Sequence, residues 1–141
     1  LDMMTFNYLN RKFGPFDVDR FASHLNNKLP TFNSKFYCPG TAQVDAFTAD
    51  WSGSNNYLNP PINLIGAVIR HLELCKATGT LVIPLWPSAY FITLIYPDGV
   101  HMASFITDFV IINPYYVATC SNCVFNGYKE FKAIALKIEF P

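Results

Sequence analysis

The stretch "NNYLNPPINLIGAVIRHL", Asn55–Leu72, carries the reading of the fold. Ahead of the prolines, "NYL" (56–58) has the look of a short strand. Behind them, Ile62, Ile65, Val68, Ile69, Leu72 and Cys75 recur at helical spacing as far as Lys76, with Gly79 as the expected stop. Pro60 and Pro61 fix two φ angles and remove two backbone donors, so neither element runs through them. The proline after it holds Asn59 in an extended or turn conformation. Its carboxamide therefore projects from a stiff loop at a strand's end, a position that suits recognition and equally an ordinary turn.

Working outward, residues 2–13 predict a helix with Asp2 as N-cap. Met3, Phe6, Leu9 and Phe13 share one face, and Gly14-Pro15 stops the run. "FDVD" (16–19) and "VDAF" (44–47) read as short strands, and "TLVIPL" (80–85) as a continuous apolar strand buried on both faces. "SAYFITLIY" (88–96) reads as a short helix, and two or three further strands follow Met102, the last being "FKAIALKIEF". Strands alternating with helices predict one α/β domain over 1–141, with a mostly parallel central sheet in which "FDVD", "NYL" and "TLVIPL" are neighbours. Ligands of such sheets sit beyond the carboxyl ends of the strands. Asp19, Asn59-Pro60-Pro61 and Pro84-Leu85-Trp86-Pro87 fall there, whereas Asp45 is placed at the start of its own strand.

The composition narrows the class. A chain of 141 residues, 51% hydrophobic and 16% aromatic, is long enough to bury a real core and is not disordered. "LVIPLWPSAYFITLIYP" is too broken by proline to span a bilayer, so no membrane partner is expected. No signal sequence opens the chain, and its start on Leu1 reads as a piece of something larger. Ten basic and ten acidic residues cancel, which argues against a nucleic-acid binder acting through its own field. Cys38, Cys75, Cys120 and Cys123, with His24, His71 and His101 scattered, lack zinc-ligand spacing. "CSNC" (120–123) reads as a turn between strands, not the helix start of a redox motif. Reduced thiols in an intracellular protein, nuclear or cytoplasmic, are the expectation, with no metal.

Taken in order, "FDVDRFASHLNNK", "VDAFTADW", "YLNPPI" and "TLVIPLWPSAYF" resemble the small phage-type DNA adenine-N6 methyltransferases. They resemble still more closely the methyltransferase-like domain encoded after the ribonuclease H region of DIRS-type retrotransposons. The resemblance covers residues 13–96, with a looser match at "FKAIALKIEF", and implies a Rossmann-like, methyltransferase-type fold with S-adenosylmethionine as cofactor. It places the catalytic Asn-Pro-Pro-aromatic motif on Asn59, Pro60, Pro61 and Ile62. There, the Asn side chain and the first Pro carbonyl accept hydrogen bonds from the exocyclic amine of a flipped adenine, and the aromatic residue stacks on the base. It places Asp19, Ala22 and Ser23 near the methionine end of the cofactor and Asp45 near its adenosine. Read without the family, Asp19 is a helix N-cap and Asp45 a turn carboxylate.

Three features depart from the family pattern. Ile62 stands where a stacking aromatic belongs, and a base–aromatic stack is worth about 1–3 kcal/mol. Arg20 and Phe21 crowd a segment that holds no glycine to admit a ligand. No room is left for a separate target-recognition domain. Three readings of function follow. One is a DNA N6-adenine methyltransferase-like domain of a retroelement polyprotein, its activity weak or lost. A second is a non-catalytic structural or nucleic-acid-binding module beside ribonuclease H and reverse transcriptase domains. A host protein keeping the domain for a protein partner is a third, and 23 aromatic residues, more than one core needs, support the second and third alike. The spacing of Ile62 to Ile65 and Ile69 predicts that Ile62 is the first core residue of its helix, a relic and not a stacking position.

Overall fold

The computed structural model describes residues 3–22, 28–34, 43–86, 89–118 and 128–141; at 43–44, 113–118 and 128–131 only the backbone is described. Asp2, Ser23, His24, Cys38, Pro87, Cys120 and Cys123 lie outside the described residues. The elements in chain order are α1 (Met3–Phe13), β1 (Val18–Asp19), β2 (Asn33–Ser34), β3 (Gln43–Val44), β4 (Asn55–Leu58), α2 (Ile65–Cys75), β5 (Thr78–Pro84), α3 (Ile92–Ile95), β6 (Ile106–Ala118) and β7 (Tyr128–Glu139).

Alternation along β5 and β7 builds two cores, one on each face of the sheet. Leu81 and Ile83 of β5 and Ile134, Leu136 and Ile138 of β7 face α2 and α3. They meet Ile65, Val68, Ile69 and Leu72, which recur at i, i+3, i+4 and i+7 and so form one apolar stripe on α2. The opposite face carries Val82, Ala133 and Ala135 under Phe6, Leu9 and Phe13 of α1. The two alanines leave room for the helix's rings, and Tyr57 closes this core with Phe6 edge-on at 4.8 Å and Phe16 at 5.5 Å. Each such buried valine, leucine, isoleucine or phenylalanine contributes about 1.5–3 kcal/mol. A strand buried on both faces reads as an unbroken apolar run, which is why "TLVIPL" does.

The sheet corrects the expected class. Five strands run in the order β1-β4-β5-β7-β6, and "FDVD", "NYL" and "TLVIPL" are neighbours in it. Only the β1–β4 and β4–β5 pairs are parallel, and they are short. The extensive pairings are antiparallel: β5 with β7 from Thr78↔Glu139 to Pro84↔Ala133, and β6 with β7 from Ile106↔Ile138 to Ala118↔Tyr128. The mostly parallel, Rossmann-like sheet is therefore not formed. Its physical requirement is a helical crossover for each parallel step. Among the described residues α2 alone serves as one, between β4 and β5, while a long C-terminal hairpin supplies most of the sheet.

Smaller corrections have local causes. "VDAF" is not one strand: β3 ends at Val44, and Ala46–Thr48 is a 3-10 turn capped by the Asp45 side chain. The helix after the prolines begins as a 3-10 turn, Ile62–Leu64, and stops at Lys76, not Gly79. Lys76 takes the left-handed conformation that usually favours glycine (φ 50, ψ 53), and the Ala77 amide donates back to the Leu72 carbonyl at 2.9 Å. Gly79 serves elsewhere. A Cβ on it would lie 2.9 Å from both the Asn56 carbonyl oxygen and Leu58 Cδ1, so only glycine lets β5 lie this close to β4. The expected burial of Ile62 is also overturned: it is 38% exposed, and the first buried residue of the helical stripe is Ile65.

Candidate functional site

Parallel pairing brings the singled-out positions to one edge. Asp19 is in register with Tyr57, so Asn59 leaves β4 just past the point opposite the end of β1. On the other side, β2 and β3 pair in parallel, and a parallel bridge joins Asp19 to Phe32. Asp45 therefore follows the end of a strand and does not begin one. Asp45, Asp19, Asn59 and the segment after Pro84 each emerge from strands of common direction, at their carboxyl ends, where open sheets hold ligands.

Their environments differ. Asp19 is 2% exposed. Its Oδ2 accepts from the Lys28 amide at 2.9 Å, tying the loop to β1 instead of capping a helix. Among the described residues its Oδ1 has no hydrogen-bond partner. Burial pushes its pKa up against the opposing pull of the Lys28 and Phe21 amides and the Lys28 charge. Ala22 is half-buried, its amide donating to the Asn33 carbonyl at 2.9 Å. Asp45 is exposed, with φ 61, and its Oδ1 accepts from the Phe47 amide at 3.1 Å, so the turn-carboxylate role is present. Ser23, assigned to the same cofactor group, is outside the described residues.

The asparagines of this strand and loop divide by role. Asn55 Nδ2 donates to the Phe13 and Pro15 carbonyls at 2.9 and 3.1 Å. Asn56 Nδ2 donates to the carbonyls of Trp51, Ser54 and Thr78. Both therefore hold the framework together. Asn59 is half-exposed, and among the described residues no hydrogen bond engages its carboxamide. Pro60 is buried, anchoring the loop, while the exposed Pro61 (φ −56) accepts from the Leu64 amide at 2.9 Å and opens the 3-10 turn. The loop thus presents one unengaged amide from a fixed backbone.

Arg20, one of the two residues expected to crowd the segment after β1, is a framework residue. It is buried, with Nε donating to Asn56 Oδ1 and Nη1 to Asn33 Oδ1, each at 2.8 Å. Its guanidinium lies 5.8 Å from the Trp51 ring centre. Burial lowers its pKa, and Asp50 acts on it only through space. Phe21 packs against Phe47 and Trp51, so it too belongs to the core's margin. The two asparagines that receive Arg20 are themselves buried, Asn33 in β2 and Asn56 in β4.

An open groove of about 850 Å³ runs along the outer face of α2, lined by Phe47, Ala67, Arg70, His71, Glu73 and Leu74; neither Asp19, Asp45 nor Asn59 lines it. Among the described residues no helix is long and apolar enough to cross a membrane. Compared with known proteins, the chain matches no family model and no curated sequence.

Proposed function

We propose that the strand-end edge binds S-adenosylmethionine and an adenine base, and that the chain is a DNA N6-adenine methyltransferase-like domain of a retroelement polyprotein, its activity weak or lost. The observation that carries this reading is the Asn59 carboxamide, unengaged on a proline-stiffened loop beside the buried, half-partnered Asp19. In this reading Asn59 and the Pro60 carbonyl accept hydrogen bonds from the exocyclic amine and draw its lone pair outward. Asp19 and Ala22, with Ser23, hold the amino-acid end of the cofactor, whose contribution is an electrophilic methyl group on sulfur. The orphaned Asp19 Oδ1 fits a cationic or N–H donor arriving from a ligand, because a buried carboxylate oxygen without a partner is costly. Asp45 retains one carboxylate oxygen beyond its capping bond for the adenosine end. Displacement needs donor and acceptor in contact, and the parallel pairing of β1 with β4 supports the reading by ending Asp19 and Asn59 on neighbouring strands.

The test is calorimetric titration of the folded protein with S-adenosylmethionine, followed by methyl transfer to adenine-containing DNA. Binding, together with transfer lost in Asn59→Ala, supports the reading. A well-folded protein silent towards the cofactor overturns it. The second reading, a non-catalytic module packed on reverse transcriptase or ribonuclease H domains, is favoured by Phe109 and Ile111, both exposed on the edge strand β6.

A further inference from the structure

Ile62 offers no ring to a base, yet a ring stands beside it. Tyr90, in the connection from β5 to α3, donates its phenol hydrogen to the Ile62 carbonyl at 2.6 Å. Its Cε2 lies 3.7 Å from where a Cβ on Gly66 would be, and Leu94 Cδ1 lies 3.8 Å from the same point. Both are ordinary van der Waals distances, so the ring lies against the start of α2, next to the Asn59-Pro60-Pro61 loop. Behind it, the fully buried Phe91 meets the ring edge-on at 5.5 Å and fixes its back. Tyr90 nevertheless remains 52% exposed, with Ile62 and Leu94, each 38% exposed, as its apolar neighbours. A large ring tethered at its hydroxyl, backed by a second ring and open to solvent is pre-organised to stack.

We propose that Tyr90 supplies the aromatic surface of this site, stacking on the planar base whose amine Asn59 receives. The inference rests on the adenine-binding reading above and adds to it the residue that captures the base. The Ile62 carbonyl then acts as a positioning group that orients the phenol.

The probe is a short single-stranded oligonucleotide with 2-aminopurine in place of one adenine, titrated at low salt with wild type, Tyr90→Phe, Tyr90→Trp and Tyr90→Leu, all checked for folding by thermal melting. Stacking shows as a change in 2-aminopurine emission. Tyr90→Phe and Tyr90→Trp should bind within a few-fold of wild type, because the ring is kept. Tyr90→Leu should bind about fivefold to a hundredfold more weakly, the range for loss of one base–aromatic stack. Wild-type affinity in Tyr90→Leu overturns the proposal. So does a loss in Tyr90→Phe and Tyr90→Trp as large as in Tyr90→Leu, which would assign the effect to the hydroxyl tether. Cofactor binding without any oligonucleotide binding by wild type overturns this inference alone; failure of both overturns the underlying reading as well.

Discussion

Asn56 and Asn59 sit three positions apart and should behave as opposites on substitution. Asn56 is fully buried. Asn56→Ala removes the acceptor of a buried guanidinium, Arg20 Nε at 2.8 Å, and the donor to three backbone carbonyls. A hydrogen bond to a charged group is worth about 1.5–3 kcal/mol, and each buried polar atom left unsatisfied costs about 1–3 kcal/mol. Allowing for relaxation around the small side chain, the expected loss is about 3–5 kcal/mol, a large share of the roughly 5–15 kcal/mol that holds a domain together. At about 2–4 °C per kcal/mol, the melting temperature should fall on the order of 10 °C. Asn59→Ala removes no such bond and should stay within about 0.5 kcal/mol of wild type. Urea unfolding followed by the emission of buried Trp51 measures both variants in one assay. Equal destabilisation by the two substitutions, or an Asn56→Ala change below about 0.5 kcal/mol, would refute the division of roles.

Three further outcomes are expected. The folded pKa of Asp19 is raised from 3.8, so the native state keeps its proton to higher pH than the unfolded chain, and stability falls as pH rises through that interval. Asp19→Asn should therefore melt higher than wild type at pH 7, with the advantage vanishing below about pH 3.8; a variant less stable at pH 7 contradicts this. Gly79→Ala forces a Cβ to within 2.9 Å of a backbone oxygen and should cost about 1–3 kcal/mol by denaturant titration, and a neutral result would mean β4 and β5 can separate. Ile62→Tyr, at an exposed position, should leave stability within about 0.5 kcal/mol and strengthen base binding; a clear drop in melting temperature would show that Ile62 is packed after all.

What could be read in advance followed from strong local constraints. Two prolines separate β4 from α2 without ambiguity, and the stripe from Ile65 to Leu72 admits one helical face. The edge holding Asp19 and Asn59 was legible because strands that end in turn-forming residues advertise their carboxyl ends. Sheet direction was not, since an apolar run such as "TLVIPL" is equally at home between parallel and antiparallel partners. The alternation in "FKAIALKIEF" marks a strand, but nothing in it names β5 as its antiparallel neighbour. Ile62 misled because the helical spacing continues backwards into a 3-10 turn, which rotates the residue out of the stripe. The role of Arg20 was not legible, because the asparagines that receive it lie 36 and 13 residues away in sequence. Tyr90 could not be paired with Ile62, 28 residues away, from any pattern.

The position of β7 has a consequence for how the chain reaches this shape. It lies between β5 and β6, although β6 precedes it in the chain. Until residues 128–139 have been synthesised, the β7-facing side of β5 has no partner, and β6 has nothing to pair with in this sheet. A nascent chain therefore passes through an interval in which Leu81, Val82 and Ile83 sit on an unpaired, apolar strand edge, the kind of surface that recruits other chains. Chains halted before residue 128 should be protease-sensitive and prone to aggregate, and the full chain should gain protection in one step as β7 is added. Completion of both cores waits on a single late strand, because β7 contributes Ile134, Leu136 and Ile138 to one and Ala133 and Ala135 to the other.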